Sequence, residues 1–315
     1  MSHRWKTLLA FGIIYFVWGS TFLAIRVGVL AVPPLLFAAI RFFIAGLVLV
    51  AWMAFRREPW PRAREWRSIC LLAALIFVGD YGLLFWAEQK VPSGIAAVML
   101  ATIPAFIAIA EILLLRTARM TAQLGLALLI GIAGVVVLMS HSLALGGAAI
   151  STVGALALIV AAMFWSVASV ITRRLPLPSS KVQGAGAQML AGGAMLAVVA
   201  AVFGEPRRFH PAAVPGQAWF ALAYLIVMGS IVGFTSYVWL IHHESPTKVG
   251  TYAYVNPVVA VLVGYFLGGE ALGLRTILGT VLVLASVLLI TLGKSMRSSA
   301  QTAKRERTSG ETCTD

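Results

Sequence analysis

The chain has 315 residues, 60% of them hydrophobic and 11% charged, with a mean hydropathy of +0.94 and a formal net charge of +13. A water-soluble domain carries about 25% charged residues, so this composition excludes a chain folded in water alone. The apolar residues run on without strict alternation, which excludes a transmembrane β-barrel and predicts helices of roughly 20 residues that span about 30 Å of hydrocarbon.

Ten spans are predicted in chain order, at 8–28, 34–55, 68–89, 93–115, 122–139, 151–172, 182–203, 217–241, 247–268 and 275–293. The first follows His3, Arg4 and Lys6. It is long for a signal h-region and no clear small-x-small cleavage site follows it, so it reads as a retained helix. With the N-terminus inside, cytoplasmic segments hold 18 of the 24 Lys and Arg, while Arg26, Lys90, Arg207, Arg208 and Arg275 lie opposite and Arg41 lies within the second span. That bias predicts both termini in the cytoplasm. The positive charge is therefore a topology signal, and no nucleic-acid partner is expected. Cys70 and Cys313 offer no disulfide framework, and the polar tail 294–315 is expected to be disordered.

The second half repeats the first. "VWGSTFLAIR" (17–26) aligns with "FWSVASVITR" (164–173) at an offset of 147, and the same offset carries "AAIRFFIAG" (38–46) onto "AGAQMLAGG" (185–193). "VPSGIAAVMLATIP" likewise answers "SPTKVGTYAYVNP". The expected fold class is an all-α membrane protein of ten transmembrane helices in two five-helix repeats, 1–145 and 146–293. An odd number of spans per copy inverts the second repeat. Inverted repeats recur in secondary transporters, whose solute site lies near the midplane between the halves.

Pro104 and Pro257 fall near the middle of predicted spans four and nine. A proline in a helix interior costs about 3 kcal/mol and frees the carbonyl four residues back, here Leu100 and Ala253. Singly, such a proline reads as a packing kink; as a pair, they are candidates for hinge or gating positions. Arg41 and Asp80 lie at matched depth in spans two and three, with Gln188 and Phe234 at the corresponding places in the second half. A charge there costs about 2.5–3.5 kcal/mol on insertion scales, so a neutralising intramembrane pair is expected. The functional alternative is that Asp80 titrates during transport or that Arg41 holds a solute carboxylate. Glu111 is expected to pair with Arg116 or Arg119 at the inner interface, and Glu88 and Lys90 to be solvated at the outer end of span three.

Trp5, Trp52, Trp60, Trp66 and Trp219 fall near predicted span ends and read as interfacial belts. A second set of aromatic and thioether side chains lies at mid-depth. Packing is the default reading for any one of them; together they suit an adaptable pocket with a few polar anchors. The candidate solute-binding residues are Trp18, Ser20, Thr21, Tyr81, Trp86, Met99, Thr102, Trp165, Tyr237, Tyr252 and Asn256. Gly229/Gly233, Gly264/Gly268 and Gly125, Gly131 and Gly134 are expected to mark helix contacts. His242 and His243 have no neighbouring ligand cluster, so no metal site and no cofactor are expected. "VGDYG" (78–82) has no second intramembrane aspartate, and no mid-membrane His or Lys could serve as a base, which argues against an intramembrane enzyme. A channel of the same architecture stays open.

"WGSTF" in the first span, the proline-bearing fourth span and the two five-helix repeats together resemble the drug/metabolite transporter superfamily of EamA type, over about residues 5–293. Within it, the chain is most similar to exporters of aromatic amino acids. The resemblance implies a monomeric bacterial inner-membrane exporter, with the lipid bilayer and a small-molecule solute as partners. It also implies alternating access, and hydrophobic amino acids or lipophilic cations as solutes. Ser166 stands where Gly19 stands in the first repeat, so the motif departs from its pattern there.

Overall fold

The computed structural model describes residues 3–115, 120–139, 151–244, 249 and 251–290. In chain order its main helices are α1 (Arg4–Val29), α2 (Pro34–Phe55), α3 (Ala63–Ala87), α4 (Ser93–Leu115), α5 (Ala122–Leu138), α6 (Thr152–Thr172), α7 (Lys181–Val202), α8 (Gly216–Leu240), α9 (Tyr252–Gly268) and α10 (Leu274–Ile290). Among the described residues, seven are long and apolar enough to cross a membrane; α5, α9 and α10 are shorter apolar helices. The chain is an all-helical multi-pass membrane protein. The tail 294–315, the junction at 145/146, Arg116 and Arg119 lie outside the described residues.

Local chemistry sets several helix ends. Ser151 and Ser180 accept hydrogen bonds from the Gly154 and Gln183 amides and so cap α6 and α7. Glu65 closes the start of α3 by accepting from the Arg62 amide at 2.6 Å. The start of α2 is capped from afar: Glu205, 4% exposed, accepts from the Leu36 amide at 2.7 Å. Burial pushes the Glu205 carboxyl above the usual range, and the Leu36 N–H draws it partly back.

The centre of the molecule is the contact of α2 with α7, the most extensive helix pair. Gly46 lies against Leu190, Gly193 against Phe43 and Gly186 against Leu49, so the two helices run antiparallel with backbones touching through glycines. Leu190 follows Phe43 by 147 residues, as Gly193 follows Gly46, so each contact has its reciprocal. The pair α5 and α10 behaves alike: Gly134 meets Val283 and Gly279 meets Leu138. Gly131 also touches α10 at Ser286, but a Cβ at Gly125 would meet nothing within 4 Å among the described residues. Around the central pair, α1 packs on α8 and α9, and α6 packs on α3 and α4.

Two helices change winding at corresponding places. Residues Ala74–Tyr81 of α3 and Leu225–Val232 of α8 are π-helical. Their starts differ by 151, which sets Gly233 at the place of Gly82 and Ile231, not Phe234, at the place of Asp80. Wider π turns leave carbonyls uncommitted, and such turns recur at functional sites.

Candidate functional site

The aromatic candidates gather in two groups. In one, Trp18 of α1 lies 5.4 Å from both Tyr237 of α8 and Tyr252 of α9, with Tyr237 and Tyr252 6.0 Å apart. In the other, Trp165 of α6 meets Tyr81 of α3 at 6.2 Å, and Tyr81 packs on Phe42 and Phe77 at 4.6 and 5.8 Å. These distances are those of ordinary edge and tilted aromatic contacts. Trp18, Tyr81, Trp165, Tyr237 and Tyr252 are all half-buried. Two other candidates fall elsewhere. Trp86 lies under the Lys90 ammonium at 4.1 Å, and Met99 is completely buried core.

Most of the polar candidates are committed to the backbone. Trp18 Nε1 donates to the Gly229 carbonyl at 3.1 Å, inside the π segment of α8. Thr21 donates to the Trp18 carbonyl, Ser20 donates to the Val17 carbonyl, and the Ser20 and Tyr224 hydroxyls bond at 2.6 Å. Gly19, between them, faces Val259 and the Asn256 carbonyl of α9. With its amide oriented as the surroundings require, Asn256 donates toward the carbonyls of Ile14, Tyr15 and Tyr252, each at 3.2 Å. The WGST motif and Asn256 thus tie α1 to α8 and α9. Ser166 makes the matching tie on the other side: its hydroxyl lies 2.6 Å from the Ala162 carbonyl and 3.2 Å from that of Ile103 in α4. Where Gly19 gives room for a close backbone, the serine reaches across to one.

Only one of the two prolines lies inside an unbroken helix. A turn at Ala101–Thr102 divides α4, and Pro104 is the second residue of the following segment, where a missing N–H costs little. Thr102 donates to the Met99 carbonyl at 2.7 Å and so satisfies part of that break. Pro257 is inside α9, five residues after Tyr252, and is buried. The break in α4 lies beside α6 through the Ile103 carbonyl and Ser166, next to Trp165, and the proline in α9 follows Tyr252.

The charges are arranged differently from the sequence expectation. Arg41 and Asp80, each 3% exposed, form no ion pair. Arg41 Nε instead donates to Ser230 Oγ at 3.1 Å, and its guanidinium lies 4.6, 5.6 and 5.9 Å from the rings of Phe42, Tyr81 and Phe85. Asp80 Oδ1 has no hydrogen-bond partner. Matched depth placed both residues at one level, but the direction each leaves its helix was not legible. Glu88, expected in solvent, is fully buried, because Arg26 and the α3–α4 turn close over it. Glu111 pairs with Arg173 of α6 at 3.1 Å.

One functional group was missed altogether. Gly269, at φ +64°, ends α9 and turns the chain so that Glu270 folds back onto the start of α4. Its carboxylate accepts from the Ser93 amide and hydroxyl at 2.6 and 2.7 Å and from the Gly94 amide at 3.0 Å, with Arg26 Nε at 3.6 Å. A carboxylate over a helix N-terminus is electrostatically favourable. Gly-Gly-Glu (268–270) at the end of an apolar run was the signal. The arrangement of two aromatic groups, a divided helix and ion pairs at two helix ends suits binding and conformational change, not bond chemistry. Among the described residues, no cluster of His, Cys, Asp and Glu could hold a metal ion.

Known proteins agree with that reading. The uncharacterized inner membrane transporter YedA of Escherichia coli (strain K12) is 38% identical over 282 residues, 89% of each chain. The uncharacterized transporter YoaV of Bacillus subtilis (strain 168) is 24% identical over 298 residues, 93% of this chain and 99% of its own. A solved crystal structure matches with a TM-score of 0.59 at 25% identity, over 91% of this chain and 97% of the other. The EamA-like transporter family matches twice, over residues 5–140 and 152–292. With both halves matched, the chain belongs to the EamA-like transporter family and is a membrane transporter, not an enzyme.

Proposed function

We propose that this transporter exports small amphiphilic metabolites, foremost amino acids with aromatic or other apolar side chains, across a bacterial inner membrane by alternating access. In this reading ten helices form two inverted five-helix repeats, both termini are cytoplasmic, and the solute binds at the midplane between the repeats. The observation that carries it is the reciprocal antiparallel packing of α2 on α7, at the offset of 147 of the sequence repeat, and of α5 on α10. The two matches of one family to the two halves support the same division. The midplane site rests on the aromatic groups around Trp18 and Trp165, which both reach α2, one through Gly229 beside Arg41 and the other through Tyr81 on Phe42.

The amino-acid solute is supported by the chemistry of the site and by the resemblance to exporters of aromatic amino acids read from the sequence. Aromatic walls with few free polar groups favour solutes with a large apolar part. The break in α4 and Pro257 in α9 supply bending points next to the site, since each helix already lacks a hydrogen bond there. The test is transport into protein-loaded vesicles with a panel of amino acids and lipophilic cations. Saturable transport of aromatic amino acids, weakened in Trp165→Ala at unchanged thermal stability, is the expected result. Transport of the cations alone, or a rate that never saturates, would replace the reading with a multidrug exporter or a channel.

A further inference from the structure

Arg41 is the cation that lies between the two aromatic groups. On one side its guanidinium lies 5.6 Å from the Tyr81 ring, which in turn meets Trp165. On the other, its Nη2 comes within 3.2 Å of the place a Cβ would take at Gly229, the residue whose carbonyl accepts the Trp18 indole. Its Nε is used by Ser230, but Nη1 is buried with no hydrogen-bond partner among the described residues. No carboxylate pairs with it, and three aromatic rings surround it.

An arginine remains charged at any physiological pH, because its guanidinium cannot be deprotonated in proteins. Buried in the membrane with no carboxylate in ion-pair contact, and only the buried Glu88 acting on it from farther off, it is costly to keep, and side chains of this kind mark solute and ion pathways. Ring faces offset part of the charge, yet they leave the N–H at Nη1 unmet. A planar fork of donors matches a carboxylate better than any other small anion of metabolism except phosphate. Phosphate suits this place poorly, since a dianion needs more than one cation, and Arg41 stands alone among rings.

We infer that Arg41 is the anchor for the carboxylate of the transported solute, with the solute's apolar part received by the rings of Tyr81, Trp165, Trp18 and Tyr252. This rests on the midplane site proposed above. It narrows the solute class to aromatic or apolar carboxylates and excludes simple amines and lipophilic cations.

The experiment uses the full chain purified in detergent and three ligands of one shape. These are phenylalanine, 3-phenylpropanoate, which lacks the ammonium, and phenethylamine, which lacks the carboxylate. Affinity is measured directly. Phenylalanine and 3-phenylpropanoate should bind wild type at least about tenfold more tightly than phenethylamine, the difference expected for a hydrogen-bonded charge pair. Arg41→Gln should remove that preference, and Arg41→Lys should keep part of it. Phenethylamine binding as tightly as phenylalanine would overturn the anchor while leaving the aromatic site intact, as would an unchanged preference in Arg41→Gln. Failure of all three ligands to bind wild type would overturn the site together with the anchor. Should Arg41→Gln not fold, the comparison of ligands on wild type still decides the question.

Discussion

Gly46 lies against the backbone of Leu190 so closely that a Cβ at position 46 would sit 2.3 Å from the Leu190 amide nitrogen. The reciprocal contact, Gly193 on the Phe43 amide nitrogen, would give 2.4 Å. Neither neighbour is a side-chain end that can swing away. Helix faces of small residues let backbones approach in membranes, where water does not drive helices together.

Gly46→Ala should therefore destabilise the protein by about 1–3 kcal/mol or more, the usual cost of forcing extra volume into a filled contact. Gly12→Ala, at a position with nothing within 4 Å, should cost nothing. Thermal unfolding in detergent compares them, and equal midpoints would show that α2 and α7 are not in close contact.

Glu270 joins α9 to the start of α4 and to Arg26, with side-chain exposures of 24% for Arg26 and 12% for Glu270. Arg173, which pairs with Glu111, is 64% exposed. Exposed pairs are worth about 0–1 kcal/mol, so the Arg173–Glu111 coupling should fall in that range. Arg26–Glu270 coupling should be larger. Glu270→Ala should cost a further 1–3 kcal/mol, roughly, because the Ser93 and Gly94 amides lose their acceptor. Double-mutant cycles on unfolding midpoints measure both couplings; the opposite order would refute the capping role.

Because Arg41 and Asp80 form no ion pair, their substitutions should act independently. Asp80→Asn and Arg41→Gln should combine additively within about 0.5 kcal/mol. A double variant markedly more stable than the sum of the singles would restore the pair expected from matched depth.

Ser166→Ala should cost about 1 kcal/mol by removing the donor that spans from α6 to the Ile103 carbonyl. Gly19→Ser should be the worse change, since its Cβ would stand 2.6 Å from Val259. The two positions align at the offset of 147, yet the space around each differs, so the two changes should differ in cost. Folded yield and unfolding midpoint of the two variants test this, and a harmless Gly19→Ser would contradict the packing of α1 on α9.

The sequence by itself determined the solvent and the elements. Length, hydropathy and sparse charge require helices in a bilayer, because backbone polar groups in hydrocarbon must be satisfied within the segment. The repeat offset of 147 aligned 38–46 with 185–193, and those two segments carry the contact of α2 with α7, although the glycines expected at helix contacts lie in other helices. Tertiary structure decided who meets whom among the polar groups. Arg41 turned to Ser230 and three rings, Glu111 to Arg173, and Glu88 inward. Thr102 holds a carbonyl at a turn, Asn256 reaches carbonyls of the neighbouring helix, and Ser20 bonds a carbonyl of its own helix and the Tyr224 hydroxyl. Depth along a helix is set by residue number, but azimuth and partner depend on how neighbouring helices are rotated. An error of one residue turns a side chain by about 100°, from the 3.6-residue period, and a π turn shifts it again.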